Sequence, residues 1–567
     1  MKWICILGLA VAVIALPFLC QRMEEAEIPQ KGIPEVVVIT PHNEDIRNEF
    51  AEGFSKWHEK HFGTPVRVDW RVIGGTTEIM RYLTSEYQAS AAAYSRAQAH
   101  VGHTVSPDEA MNLDAPDAVT SRIDVFFGGG DYDHSRAERM RLTVPAWPEG
   151  KEPAGLFRDS SGRELIPVEK NGATWRGKAF YGNVLSTFGI CYNFDRLRDL
   201  KIAREPRHWD DLAAPEYFGY VGLADPTKSG SVAKAFELIV YAQCAKAVAA
   251  AGFTREQIAS FEEKLAAAKT DYLKDGSIPQ AYYEAIETGW LNGIRLIRRL
   301  GANARSFSES AGKVPVDVGN GSMAAGICID FYGRLQAENS TLPDGRAVMR
   351  YVTPVGEAGI TADPISLLRG APNRELAVRF IGFVLGREGQ KLWCLRPGIE
   401  GGPHRKALRR LPIRREFYPS DDPDMQAFYE ANKASYSDPL GDLETDAYRI
   451  GDAFVYWPRW TLRHFGIQRD LIRAMCMDSG EELRAAWRAI LRNGGVEKNP
   501  DAMQFLEAMP TNPVLLTWNT AISVFHTQPR LERLANWTAF FRKQYRMAQE
   551  LAEKRGTATP PAERRGS

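Results

Sequence analysis

At 567 residues the chain exceeds what one hydrophobic core can serve, so two to four domains are expected. Lysine plus arginine equals aspartate plus glutamate at 71 each, a balance that argues against a nucleic-acid binder with its usual basic face. With 44% hydrophobic and 10% aromatic residues, the composition excludes a disordered chain.

The N-terminus, "MKWICILGLAVAVIALPFLC", sets Lys2 ahead of an apolar run from Trp3 to Leu19, and the acidic "QRMEEAE" follows. This is the pattern of an export signal over residues 1–30, which places the rest of the chain in the periplasm or on the outer face of the cytoplasmic membrane. Three outcomes stay open: a lipidated Cys20, although Leu19 stands where a small residue is wanted before cleavage; an uncleaved anchor in the membrane; or removal as an ordinary signal. Beyond Cys5 and Cys20, the cysteines Cys191, Cys244, Cys328, Cys394 and Cys476 show no CxxC spacing. They read as small buried apolar residues, with one disulfide left open.

"EVVVIT" (35–40) is a β-branched strand between two prolines. Ile46, Phe50, Phe54 and Trp57 then recur at helical spacing up to Gly63. "VRVDWRVI" is a second strand running into "GGTTEIMRYL", where Thr76 or Thr77 can cap a helix, and "RIDVFFGGGDYDHSRAERM" repeats strand, glycine turn and helix. Three such units imply a parallel α/β sheet, with residues 84–122 as a small, polar helical insertion on the surface. In open α/β sheets ligands sit beyond the carboxyl ends of strands, so the exits "TPHN", "GGTT" and "GGGD" point to one shared binding edge.

"KAFYGNVLSTFGICYNFDRLRDL" reads as one strand with small residues, then a helix; Trp209 begins a helical turn, "YVGLAD" is a strand, and "PTKSGS" opens a long helix at Val232. Lys228, Ser229, Gly230 and Ser231 bring a cation, two hydroxyls and backbone N–H groups to that helix start, the chemistry that holds an oxyanion. "GKVPVDV" reads as a strand before the turn "GNGS" and the strand "AAGICIDFYG", "RYVTPVGEAGITADPISLL" as extended chain, and "GAPNRELAVRFIGFVLGREGQKLW" as two helices broken near Gly386. From Pro419 to Glu553 tryptophan-rich amphipathic helices form an extension whose aromatic stripes are core, and residues 554–567 read as disordered. No GxSxG, HExxH, Walker or dinucleotide-binding motif appears.

"YGNVLSTFGICYN", "RHWDDLAAPEYFGYVGLADPTKSGS", "GNGSMAAGICIDFYG", the stretch from "VTPVGEAGI" to "GREGQKLW" and "GPHRKAL", in that order, resemble an extracellular solute-binding protein of an ABC importer, in the branch with ferric-iron, phosphonate and sugar-phosphate binders. The resemblance covers Glu35 to Tyr418. It implies an α/β periplasmic-binding-protein-like fold of type II, two lobes around a ligand cleft, with the chain crossing twice. The expected division is a first lobe over 31–145, a second over 146–345, a return to the first over 346–418 and the helical extension over 419–553. It also implies capture of a small anionic solute or metal, delivery to permease subunits, no catalysis and no cofactor. The ligand contacts it carries over are Thr40, His42 and Asn43; Thr76 and Thr77; Gly129, Gly130 and Asp131; Ser229, Gly230 and Ser231; and Asp330 and Tyr332. Iron-binding relatives present adjacent tyrosines where this chain has "DFYG", with one tyrosine. A metal, if bound, would fall to His42, Asp131, Asp330 and Tyr332; Tyr282 and Tyr283 read as packing residues. The other readings carried forward are a ferric-iron binder of the same fold, a ligand-sensing partner of a membrane sensor, and an exported hydrolase using the carboxylates of "DYD" or "DD".

Overall fold

The computed structural model describes residues 32–113, 118–442 and 445–558. The apolar N-terminal run and the final residues 559–567, with the expectations placed on them, lie outside that range. Residues 554–558, expected to be disordered, complete the last helix.

Chain order begins with β1 (Glu35–Ile39), α1 (Glu44–Phe62), β2 (Arg67–Arg71), α2 (Thr76–His100), β3 (Val125–Phe127) and α3 (Asp131–Arg139). α1 buries Ile46, Phe50 and Phe54 and stops at Gly63, whose φ of 76° forms a left-handed C-cap. β4 (Thr143–Val144), the hairpin of β5 (Glu169–Lys170) and β6 (Ala173–Thr174), β7 (Tyr181–Ser186) and β8 (Phe188–Asn193) follow. Next come β9 (Val221–Ala224), α4 (Gly230–Ala250), α5 (Gln280–Asn303), β10 (Ala304–Ser308), β11 (Ala325–Ile329), α6 (Asp330–Asn339), β12 (Met349–Val352), β13 (Thr361–Leu368) and β14 (Leu411–Pro412).

These strands make two sheets of one design. The first has the order β14-β7-β13-β3-β1-β2, with β4 also on β13; the second runs β10-β9-β11-β8-β12. In each, the first strand of a parallel trio lies between the other two: β1 between β2 and β3, and β9 between β10 and β11. Each trio is flanked by an antiparallel strand at the point where the chain changes lobes, β13 beside β3 and β8 beside β11. The result is a two-lobed α/β fold with a helical C-terminal region.

The first crossing is a single residue. β7 belongs to the first sheet and β8 to the second, and only the fully buried Thr187 separates them. Residues 146–186 therefore stay with the first lobe, and the crossing comes later than the expected boundary at 146. One continuous run of small and apolar residues conceals two strands, because both are buried on both faces and neither shows a period. Residues 353–360 make the return.

Other elements also differ from expectation. α2 continues unbroken to His100, and its Tyr87 and Ala91 join Ala110 and Val119 in a separate small core, so much of the supposed surface insertion packs inward. Its N-cap is Gly75, with no side-chain cap, rather than a threonine. "KVPVDVG" is a helix: Val314 and Val318, four apart, are buried while Val316 between them is exposed. The alternating valines fit both periods, and burial chose the helical one.

The extension includes α7 (Phe465–Ile472), α8 (Gly480–Arg492) and α9 (Arg530–Ala558). Trp537, Phe541, Tyr545, Ala548 and Ala552 form the buried stripe of α9, which packs on α8; α8 in turn packs on α5 and α7 on α4, all against the second lobe. Trp487 donates its indole N–H to Asn303 at 2.8 Å, and the buried Arg298 donates to the carbonyls of Leu506 and Ala508, so the joint is polar as well as apolar.

In the first lobe the buried Asp124 accepts from the backbone N–H of Val37 at 2.8 Å and of Asn373 at 2.7 Å, and from Asn373 Nδ2 at 3.1 Å. It joins β1 to the helix beginning at Arg374. Asp124→Ala leaves these donors unmatched and should lower the unfolding free energy by about 3 kcal/mol, read by chemical denaturation.

Candidate functional site

Six strand exits, loops or first helical turns that each leave the carboxyl end of a parallel strand, face one another between the lobes. They are Thr40–Asn43, Val72–Glu78 and Gly128–Asp131 from the first lobe, and Asp225–Ser231, Glu309–Gly312 and Asp330–Tyr332 from the second. A cavity of about 440 Å³ opens among them, lined by His42, Thr76, Glu78, Gly129, Lys228, Ser229, Ser231, Phe331 and Tyr332, with Asp363 and Arg410 also in its wall.

Close approach explains the glycines. Gly128 and Gly129 have φ of 85° and 102°, and a Cβ on Gly128 would come within 2.3 Å of His42 Nε2. A Cβ on Gly75 would lie 2.4 Å from the carbonyl oxygen of Lys228, so here the lobes touch.

The loop side chains divide between shaping the cleft and lining it. Thr40 is buried behind the cavity, where its Oγ1 accepts from His42 N–H at 3.1 Å, and Asn43 caps α1 by accepting from Ile46 N–H at 3.1 Å. Asp131 accepts from Tyr132 N–H within its own helix. Thr77 accepts from Arg469 of the extension. Gly130 caps α3, and Gly230 faces Asp133, whose Oδ2 lies 3.1 Å from where a Cβ would stand. Asp330 is fully buried and receives Arg334 Nη2 at 2.8 Å; burial pushes its carboxyl upward. Of the carried-over contacts, the structure thus brings His42, Thr76, Gly129, Ser229, Ser231 and Tyr332 to the cavity wall. Thr40, Asn43, Thr77, Gly130, Asp131, Gly230 and Asp330 do not line it; they build the loops or pair elsewhere.

His42 is 7% exposed, its Nε2 has no hydrogen-bond partner, and its ring meets Phe127 edge-on at 4.7 Å. Burial, aided by Arg410 and Arg47, holds its pKa well below the usual histidine range, so it is neutral. On the second lobe Ser229 caps α4, accepting from Val232 N–H at 3.4 Å, and Ser231 stands in the first turn with the unpaired amide end of a long helix. Lys228 pairs with Glu309.

With Glu78, Phe331 and Asp363, Arg410 is one of the wall residues that sequence reasoning missed. It is 1% exposed, donates from Nη2 to Ser186 Oγ at 2.6 Å and to Asp363, and lies 4.3 Å over the Phe331 ring. Its Nε has no partner. In the run "HRKALRRLPIRR", Arg409, Arg410 and Arg414 each pair with an acid: Asp438, Asp363 and Glu416. Glu49 of α1 fixes the run's start by accepting from the N–H groups of His404, Arg405 and Lys406. The Glu309–Gly312 loop was also missed, since it follows a strand with little apolar signal.

Among the described residues no three histidine, cysteine, aspartate or glutamate side chains gather as a metal group. Of the four residues expected to hold a metal, only His42 and Tyr332 line the cavity. Tyr282 and Tyr283 are buried in α5, where Tyr282 donates to Glu262 at 2.5 Å.

His134 supports the glycine loop. It is fully buried, stacks on Phe126 at 3.9 Å, donates from Nε2 to Gly128 O at 3.1 Å and accepts at Nδ1 from Ser366 Oγ at 2.7 Å. Burial drops its pKa from 6.5 to about 4. Between those values the unfolded chain binds a proton that the folded chain does not, so stability falls as pH drops through that window, by up to about 1.4 kcal/mol per unit. Asp133, raised by burial to about 6, works in the opposite sense below that pH. His134→Gln removes the loss and leaves the opposing gain from Asp133, so between pH 6.5 and 4 the variant should lose less stability than the parent protein, as measured by urea denaturation.

Residues 154–417 match the family model described as bacterial extracellular solute-binding protein. Over 271 residues the chain is 23% identical to an uncharacterized protein of Haemophilus influenzae, an alignment covering 48% of this chain and 60% of that one. The chain thus spans less than two thirds of that curated relative's length. Among solved structures it is similar to the periplasmic binding protein AfuA of Actinobacillus pleuropneumoniae with fructose-6-phosphate bound, at 16% identity, 76% of this chain, 98% of that one and a TM-score of 0.44. Iron-bound HitA of Pseudomonas aeruginosa is 16% identical over 74% of this chain and 97% of its own, with a TM-score of 0.39. The spermidine/putrescine ABC transporter substrate-binding protein PotD of Streptococcus pneumoniae is 15% identical over 78% and 99%, with a TM-score of 0.42.

Proposed function

We propose that this chain, whose residues 154–417 belong with the bacterial extracellular solute-binding proteins, is an exported receptor that captures a small anionic solute and hands it to an ABC importer. The observation that carries the ligand class is the meeting of α4's amide end, Ser229 and Ser231, with two almost fully buried groups that still have unmatched nitrogens, His42 and Arg410. A helix start offers aimed N–H groups and the positive end of a dipole, and a guanidinium adds charge-assisted hydrogen bonds. Glu78 lines the same cavity with a buried Oε2 that has no hydrogen-bond partner. An acceptor there suits a hydroxyl or ammonium group at the other end of the solute, which favours a phosphate ester or an aminophosphonate over a bare ion.

Ferric iron is the weaker ligand in this reading, because hard cations need several free anionic oxygens. Asp330 is tied to Arg334, and Asp363 to Arg410. Capture proceeds by lobe closure: contacts split between the two lobes favour the closed state, which the permease then recognises. Catalysis has no part in it, and the N-terminal segment brings the receptor to the membrane or past it.

Two experiments test the reading. Native mass spectrometry of protein exported by its own host should show a co-purifying small anion; a bound ferric ion would reverse the ligand assignment. Calorimetry against hexose phosphates, aminophosphonates, inorganic phosphate and ferric ion should find binding that Arg410→Gln weakens by about 10- to 100-fold. Ser231→Ala should weaken it several-fold. Unchanged affinity in both variants removes the anion site.

A further inference from the structure

The extension does more than cover the second lobe. Arg469 of α7 donates from Nη2 to Thr77 Oγ1 at 2.5 Å on the first lobe. The same guanidinium donates to the carbonyls of Pro226 at 2.8 Å and Thr227 at 3.1 Å on the second. One turn earlier, the buried Phe465 packs its ring 4.5 Å from that of Tyr132, a first-lobe residue beside the glycine loop. α7 itself is seated on α4. One short helix thus grips both sides of the cleft rim, where Gly75 and Lys228 already touch.

A second bridge lies in the chain leading to α7. Tyr456 donates its N–H to Asn171 O at 2.8 Å, and Asn171 Nδ2 donates to Gly451 O at 2.6 Å, both beside the β5–β6 hairpin of the first lobe. On the other side Tyr456 OH donates to Glu237 at 2.7 Å and Tyr241 OH to Val455 O at 2.5 Å, both partners on α4. Gly172 has φ of 85°, and a Cβ there would stand 1.8 Å from Tyr456 O, so the hairpin tip is shaped to receive this segment of the extension.

We propose that the C-terminal extension is an intramolecular latch: through Arg469 and the Val455–Tyr456 segment it holds the lobes together without ligand, and the cleft opens for solute only when the Arg469–Thr77 contact parts. In a two-lobed receptor whose lobes meet only through the solute, the empty protein rests open. Here part of the closed-state contact is supplied by the chain itself, which shifts the empty protein toward closure and reduces the share of closure energy that a solute must provide. The inference rests on the two-lobed reading of the cleft and not on the identity of the solute.

The test needs no ligand. Hydrogen exchange and small-angle scattering are measured on the full-length protein and on Arg469→Gln and Thr77→Val. Thr77→Val removes only the acceptor on the first lobe and leaves the carbonyl contacts on the second. Both variants should raise exchange at least fivefold in residues 74–80 and 227–232 and enlarge the radius of gyration, while residues 480–552 exchange at native rates. Native exchange and radius in Thr77→Val overturns the latch, as does a native protein already as expanded as the variants. Should Arg469→Gln unfold the extension, seen as faster exchange across 480–552, Thr77→Val decides alone. Loss of the latch leaves the receptor reading standing, and failure to find a bound anion leaves the latch standing.

Discussion

The architecture depends on one constraint of chain connectivity: β7 and β8 are a nearly continuous extended run that hydrogen-bonds into two different sheets. Thr187, between them, is fully buried, and its carbonyl accepts the N–H of Asp330 at 3.0 Å, so the crossing is also bonded to the exit of β11. With the second crossing at 353–360, this fixes the carboxyl edges of both parallel trios toward a common gap. Every cleft loop described above is a consequence of that orientation, since loops leaving parallel strands at one end have nowhere else to meet.

The gap is polar yet nearly balanced in charge. Arg410 is matched by Asp363 and Lys228 by Glu309. Burial holds His42 neutral. Selectivity in such a site comes less from net attraction than from whether a guest can complete hydrogen bonds that the protein has left open, because an unmatched buried polar group is costly for the wrong guest. The aromatic surface under Arg410, from Phe331 and Trp393, keeps the guanidinium plane fixed and spares the guest the entropy of ordering it.

Local signals were read well where one residue had one job. Gly63 as a left-handed cap, Gly386 as the break between two helices, Ser229 at the head of α4 and the three glycine or polar exits of the first lobe all stand where their chemistry places them. Signals failed where burial on both faces erased periodicity, as in β7–β8, or where two periods coincided, as in Val314, Val316 and Val318. Arg409 and Arg410 were illegible for another reason: their acidic partners, Asp438 and Asp363, are remote in sequence, and only the fold brings them together. Residues carried over by resemblance, such as Asn43 and Asp330, stand at the right strand exits but do not face the cavity: Asn43 caps α1 and Asp330 pairs with Arg334. The extension's grip on both lobes had no precedent in any motif, since an arginine on an amphipathic helix looks like any other solvated charge.

The five cysteines of the described chain are buried as free thiols, each packed among apolar neighbours or against a backbone carbonyl. Burial pushes the Cys244, Cys328, Cys394 and Cys476 thiols upward, away from the reactive thiolate form. The described fold therefore owes nothing to oxidative cross-linking. Among the described residues, folding therefore calls for no oxidant, and this part of the chain can reach its packed state under reducing conditions.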